Sequence, residues 1–248
     1  NKGCSVNAVF LTARLKSTRL KRKVLLDVDG IPVIQYLVNR IQANSDIKII
    51  LCTSTSKQDG DLVNYAIQSS INCYRGSEED VLERYYQAAK EFNIDKFYIV
   101  YGDEPFIDIE LMQSTLQQMN KSENQFVDNS DYIDGIFGYG MTFNAIKCIN
   151  ENKTLKELEV WGSFVKNLPN VKTIINMSKH EKKEVRLTID YKEDLQMFVE
   201  LINLIGGNYK RYLTAQIIDT YLENKLFEIN GFRMDDYAQR IEEQEKYE

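Results

Sequence analysis

The chain has 248 residues, of which 43% are hydrophobic and 27% charged, and its formal net charge is −6. Size and composition allow an α/β domain with a filled core, while the negative balance excludes a broad nucleic-acid-binding face. No apolar run approaches the roughly 20 residues that insert into a membrane, and four scattered cysteines without a C-x-x-C pair offer neither a zinc site nor a disulfide framework. No cleavable signal is legible at the amino end, so the expected location is cytoplasmic.

The run from Val6 to Leu11 predicts a buried strand. It leads into a loop that carries Arg14, Lys16, Arg19, Lys21, Arg22 and Lys23, with Ser17 and Thr18 between them. Six cations in ten residues of an anionic chain are a local device for an anionic ligand. A strand that delivers such a loop to the carboxyl edge of a parallel sheet is where open α/β folds hold phosphate groups. The glycine-rich phosphate loop is absent, so side chains must supply much of the positive charge.

Asp29-Gly30-Ile31-Pro32 predicts a turn, with Pro32 as the first residue of a helix over 33–43. A strand over 47–53, a polar loop, a helix over 61–69 and a short strand over 71–74 follow. Ser77, in the turn from Arg75 to Asp80, is expected to cap a helix over 81–92. A fourth strand, 96–101, stops at Gly102-Asp103-Glu104-Pro105. Gly102 is expected to let a bulky group approach the backbone, and Pro105 to fix the exit so that Asp103 points out of the sheet. Asp108 then caps a helix over 109–119. Strand and helix alternating with short loops predicts a parallel sheet covered on both faces.

The second half is less regular. Gly135 to Met141 predicts a strand whose alternating glycines admit a ligand or another backbone. Helices are expected over 143–150, 155–168, 192–205 and 214–224, and strands over 171–177 and 184–189, the latter ending at Asp190. His180 falls in a charged surface run, and an acidic tail covers 235–248. Asp103 and Asp190, leaving separate strands opposite the basic loop, form a hard-cation site, because Mg²⁺ prefers one or two carboxylates plus phosphate oxygens. The bland alternatives are a turn cap for Asp103 and a cap on the 192–205 helix for Asp190. Together the pieces fit phosphoryl or nucleotidyl transfer.

Ala13-Arg14-x-x-Ser17-Thr18-Arg19-Leu20-x-x-Lys23-x-Leu25 resembles the opening motif of the cytidylyltransferases that activate 3-deoxy-manno-octulosonate and acylneuraminate. Gly102-Asp103-Glu104-Pro105 is similar to the acid motif of the octulosonate enzymes. The stretches from Gly76 to Ala89 and from Arg186 to Leu195 resemble the SpsF-like branch almost throughout, and the motifs together span about residues 6–225.

This resemblance implies a Rossmann-like three-layer α/β/α nucleotide-diphospho-sugar transferase fold with a mostly parallel sheet. A single domain is expected, with a nucleotide-binding half over about 6–120, an acceptor-binding half over about 121–225 and a tail over 226–248. The implied reaction transfers CMP from CTP to a sugar acid or related phosphorylated acceptor, releases pyrophosphate, uses Mg²⁺ and serves surface polysaccharide synthesis. Arg14, Arg19 and Lys23 would hold the phosphates, with Lys23, Arg19 and Asp103 carrying catalysis. Ala13 and Ser17 would line the nucleotide, Arg75 and Ser77 would sit beside the cytosine, and Asp103 and Asp190 would bind the metal.

Two departures stand out: Lys21-Arg22 replaces the usual Pro-Gly, and Tyr191-Lys192 the usual Thr-Pro. Asp134, Tyr139, Glu159 and Trp161 are acceptor-site candidates, and a homodimer through the second half is expected from relatives. The alternative enzyme is a nucleotide-sugar-dependent glycosyltransferase of the same fold, which calls for an Asp-x-Asp motif. Asp103-Glu104-Pro105 lacks the second Asp, whereas Asp27-Val28-Asp29 has the spacing elsewhere. A non-catalytic nucleotide-binding regulator is the remaining reading.

Overall fold

The computed structural model describes residues 5–119, 125–153, 161–178, 185–234 and 236. Its first strand, β1 (Asn7–Thr12), is apolar from Ala8 to Leu11 because both of its faces are covered there. Val9 and Leu11 enter one layer and Ala8 and Phe10 the other, all fully buried. A short hairpin, β2 (Asp27–Val28) and β3 (Ile31–Pro32), follows the basic loop. It forms where the turn was expected, with Asp29 and Gly30 in the left-handed region at φ 51° and 84°. Pro32 sits just before α1 (Val33–Asn44) rather than inside it.

The alternation continues with β4 (Lys48–Ser54), α2 (Gly60–Gln68), β5 (Asn72–Gly76), α3 (Val81–Glu91), β6 (Lys96–Tyr101) and α4 (Ile109–Gln118). After these come β7 (Gln125–Asp128), β8 (Tyr139–Thr142), α5 (Phe143–Asn152), α6 (Gly162–Lys166) and β9 (Lys172–Ile175). The chain ends in α7 (Lys192–Ile205), α8 (Thr214–Glu223) and α9 (Phe227–Asn230).

Seven strands form one sheet in the order β5-β4-β1-β6-β8-β7-β9. β8 alone runs antiparallel to both of its neighbours, so the sheet is mostly parallel. Helices α1, α2 and α4 cover one face and α3, α5 and α6 the other, giving a Rossmann-like three-layer α/β/α sandwich. A third apolar cluster joins α7, α8 and the start of α1 around Phe106, Ile133, Leu187 and Ile189. No helix is long and apolar enough to cross a membrane among the described residues. Cys52, Cys73 and Cys148 are unpaired thiols.

Four local expectations need correction. Asp80, not Ser77, caps α3: its Oδ1 accepts from the Glu83 N–H at 2.9 Å, while Ser77 Oγ accepts from the Asp80 N–H at 3.0 Å. In a Ser-Glu-Glu-Asp run either end can cap, and the helix starts one residue after the later one.

Residues 134–136 form a turn and 137–138 are irregular, so the strand starts only at Tyr139, because the backbone is crowded from two sides. A Cβ on Gly138 would stand 2.1 Å from the Ile99 carbonyl oxygen, and one on Gly135, at φ 97°, 2.3 Å from the Leu187 backbone. Close approach by another backbone is therefore what these glycines serve.

The stretch from Val185 to Asp190 is extended and buried but forms no strand. It docks through two backbone bonds, Leu187 N–H to Asp134 O at 3.0 Å and Ile189 N–H to Asp103 O at 2.9 Å. Finally, β7 was not legible as a strand, and of the helix expected over 155–168 the described part contains α6. Glu159, His180 and the tail apart from Asp236 lie outside the described residues.

Candidate active site

β1 has β4 on one side and β6 on the other, so the loop leaving it sits at the point where strand order reverses. The loop straddles both sides. Toward β5, Arg14 Nη1 donates to the Glu78 carbonyl at 2.8 Å and Lys16 Nζ lies 3.8 Å from the Glu78 carboxylate. The loop's root is fastened by Asp59, which accepts from the Leu15 N–H at 2.7 Å and the Ser54 hydroxyl at 2.5 Å. Arg75 donates from Nε and Nη2 to the Ser54 and Ser56 carbonyls at 3.0 and 2.7 Å. Ser17 closes a tight turn through its N–H to the Leu15 carbonyl at 3.0 Å.

Toward β6 the loop meets the acids. Lys23 Nζ donates to Asp103 Oδ2 and, at 2.8 Å, to Asp190 Oδ1; Arg19 Nη2 donates to the same Asp190 oxygen at 2.7 Å. Two carboxylates from distant parts of the sequence thus share one ammonium group, which lies 167 residues before the second of them. The structure brings Arg19, Lys23, Asp103 and Asp190 together, while Arg14, Arg75 and Ser77 line the β5 flank of the same loop. Ala13, buried under the loop, packs against Gly102.

Asp103 is placed by the sheet. Gly102 N–H donates to the Thr12 carbonyl at 2.9 Å, continuing the β1–β6 ladder by one bond. A Cβ on Gly102 would meet Ala13, Val24 and Ile34 side-chain carbons, each at 3.2 Å. Gly102 therefore serves close packing beneath the loop and not the approach of a bulky ligand group.

Asp190 is placed by side chains. The buried Arg186 guanidinium donates to Asp194 Oδ1 at 2.8 Å, to Asp194 Oδ2 at 3.0 Å and to Asp190 Oδ2 at 3.2 Å. Asp194 Oδ2 also accepts from the Asp190 and Tyr191 N–H groups, both at 3.0 Å, which caps α7. That leaves Asp190 itself free of the capping role. Asn230, buried near the end of α9, donates to the Arg186 carbonyl at 3.1 Å and to Asp194 Oδ1 at 2.9 Å, and accepts from the Tyr221 hydroxyl at 3.0 Å.

The charges perturb one another. Burial acts to raise the Asp190 pKa, but the adjacent Lys23 and Arg19 outweigh it and hold the carboxyl well below the ordinary range. Burial likewise acts to lower Lys23, and Asp103 and Asp190 overcome it so that its pKa is raised. Burial, reinforced by Asp103, Asp134 and Asp190, pushes Glu104 well above the usual carboxyl value, and its Oε2 is buried without a hydrogen-bond partner.

The donor set fits a hard divalent cation. Two carboxylates already converge on one cationic atom, with the orphaned Glu104 oxygen in the same acidic cluster. No group of three His, Cys, Asp or Glu side chains suited to a metal occurs among the described residues. Substrate oxygens or water would have to complete a metal's shell, which is the habit of Mg²⁺.

Arg186, Asp194, Asn230 and Glu104 carry structure here that sequence reasoning assigned to nothing. A charge inside the apolar run from Val185 to Ile189 was the available signal. Of the acceptor candidates, Asp134 is near enough to help raise the Glu104 pKa, whereas Trp161 is a core residue packed on Tyr85, Phe126 and Tyr139. Asp27 of the Asp-x-Asp spacing is exposed and accepts from the Gly30 N–H at 3.1 Å within the β2–β3 turn.

An open α/β sheet whose first strand delivers a basic loop beside converging carboxylates is the architecture of a nucleotide-binding enzyme. A family model described as cytidylyltransferase matches residues 8–230. The chain belongs to the cytidylyltransferase family, whose members are nucleotidyltransferases.

An uncharacterised protein of Methanocaldococcus jannaschii is 31% identical over 197 residues, covering 77% of this chain and 81% of the relative. The spore coat polysaccharide biosynthesis protein SpsF of Bacillus subtilis is 27% identical over 213 residues, covering 79% and 86%. A cytidylyltransferase structure from Leptospira borgpetersenii superposes with a TM-score of 0.82 at 21% identity, over 91% of this chain and 98% of that one. CMP:2-keto-3-deoxy-manno-octonic acid synthetase complexed with CTP superposes at 0.59 and 14% identity, over 81% and 99%.

Proposed function

We propose that this cytidylyltransferase transfers CMP from CTP to a sugar acid or related phosphorylated acceptor, with release of pyrophosphate, in the synthesis of a surface polysaccharide or glycoconjugate in the cytoplasm. The single observation that carries the reading is the convergence of Asp103 and Asp190 on the Lys23 ammonium beside Arg19. The site stabilises a cation between two acids at the mouth of a basic loop, which is what a metal–triphosphate requires. The names of SpsF and of the CTP-bound octonic acid synthetase support polysaccharide precursors and CTP.

In this reading Asp103 and Asp190 hold Mg²⁺, which when bound would offset charge on the triphosphate. Lys23 and Arg19 gather the negative charge that develops on the departing pyrophosphate. Arg14, fastened to the Glu78 carbonyl, holds the phosphates with them on the flank where Ser17, Arg75 and Ser77 receive the nucleoside, and Ala13 is buried beneath the loop. Holding the acceptor oxygen in line with the α-phosphate then supplies much of the rate, without a covalent protein nucleophile. One domain carries both halves of the task, the nucleotide over about 6–120 and the acceptor over about 121–225.

A nucleotide-sugar-dependent glycosyltransferase is disfavoured because Asp27 is engaged in its own turn. The test is incubation with each of the four nucleoside triphosphates, Mg²⁺ and a panel of sugar acids and phosphorylated polyols, with pyrophosphate detected. Release with CTP and a panel acceptor is expected; transfer from a preformed nucleotide sugar in its place overturns the reading.

A further inference from the structure

The Tyr191 ring stands where three guanidinium groups meet. Arg233 lies 4.3 Å from the ring centroid, Arg19 5.4 Å and Arg186 6.0 Å. They come from the turn after α9, the basic loop and the extended segment before α7. Two of the three are anchored by carboxylates of the α7 amino end. Arg186 is locked on Asp194, and Arg233 pairs with Glu193 at 3.3 Å and with Asp236 at 2.6 Å.

Arg19 is held differently. It belongs to the loop, its side chain is 31% exposed, and its ion pair uses the Asp190 oxygen that Lys23 also uses. A grip that leans on Asp190 weakens whenever that carboxylate serves another cation. Attraction to the face of an aromatic ring does not depend on where Asp190 is engaged.

We propose that Tyr191 is a positioning residue whose ring, steadied by Arg233, keeps the Arg19 guanidinium over the acidic cluster, oriented for the triphosphate of the incoming nucleotide. The inference rests on the proposed function and deepens it. The start of α7 is insulated from the side chain, because Asp194 caps it through the backbone N–H groups of residues 190 and 191. Removing the ring therefore leaves the cap intact.

Calorimetric titration with CTP and Mg²⁺ tests this on the full chain, comparing wild type with Tyr191→Phe, Tyr191→Thr, Arg19→Gln and the Arg19→Gln/Tyr191→Thr double variant. Tyr191→Thr is expected to weaken CTP binding roughly five-fold, the scale of one partly exposed cation–π contact. Tyr191→Phe, which keeps the ring, retains wild-type affinity. In the Arg19→Gln background, loss of the ring adds nothing. Equal affinity of Tyr191→Thr and wild type, or an undiminished effect of the ring in the Arg19→Gln background, overturns the inference while wild-type CTP binding leaves the proposed function standing. Wild-type protein that does not bind CTP overturns both.

Discussion

The two acids of the site reach the same ammonium group by different means. Asp103 follows a regular strand, and its position is inherited from the β1–β6 ladder and from Gly102 packed beneath the loop. Asp190 ends an extended segment outside the sheet and is held by a buried network of Arg186, Asp194 and Asn230. Backbone pairing distributes the cost of placing a carboxylate over many bonds, whereas a side-chain network concentrates it in a few. The Asp190 side should therefore be the more fragile under single substitutions.

The largest effect is expected from Asp194→Ala, which strips the Arg186 guanidinium of its bidentate partner and removes the α7 cap. Urea denaturation should register a loss of about 3–5 kcal/mol, the range for breaking a buried ion pair. A loss below about 1 kcal/mol would show that the network does not carry the Asp190 side. Gly102→Ala attacks the other side. Its new methyl meets three carbons at 3.2 Å, of which only the Ile34 terminus can swing away easily, so a cost of about 1–3 kcal/mol and a reduced turnover rate are expected. Wild-type kinetics for this variant would break the link between packing and the aim of Asp103.

Acid titration separates the two sides further. Because Lys23 and Arg19 hold the Asp190 carboxyl well below its ordinary value, that interaction contributes stability fully present above about pH 4. The contribution is lost as pH falls through the lower folded value. Stability curves of wild type and Asp190→Asn should accordingly draw together below pH 4 and stand apart above it; parallel curves would contradict the assignment. The smallest effect is reserved for Arg22→Ala, whose pair with Asp61 at 2.8 Å has both side chains about half exposed. It should change stability by less than about 1 kcal/mol.

The same contrast governs what could be read from sequence. The Asp103 side was legible because its information is local: an apolar strand, a Gly-Asp-Glu-Pro stop and a capped helix occur in order. On the Asp190 side the motif was legible but its support was not. Arg186 and Asp194 are eight residues apart, and Asn230 is 44 residues beyond Arg186, with no local periodicity relating them. The four-residue β7 is too short to signal itself, and β8 is shortened by glycines that serve backbone crowding and not pairing. Asp80 took the capping role expected of Ser77 because side-chain chemistry alone does not fix where the helix starts. Trp161 stood as a site candidate only because it falls in the stretch where the resembling family binds its acceptor, and the packing of Tyr85, Phe126 and Tyr139 around it decides for the core.

The central claim is that Asp103 and Asp190 serve one cation together with the triphosphate. Electron paramagnetic resonance of Mn²⁺, titrated into protein with CTP, measures this for wild type, Asp103→Asn, Asp190→Asn and the double variant. Each single substitution should abolish the CTP-dependent bound signal, and the double variant should be no worse than either. A single variant that keeps wild-type Mn²⁺ affinity in the presence of CTP would contradict a shared site.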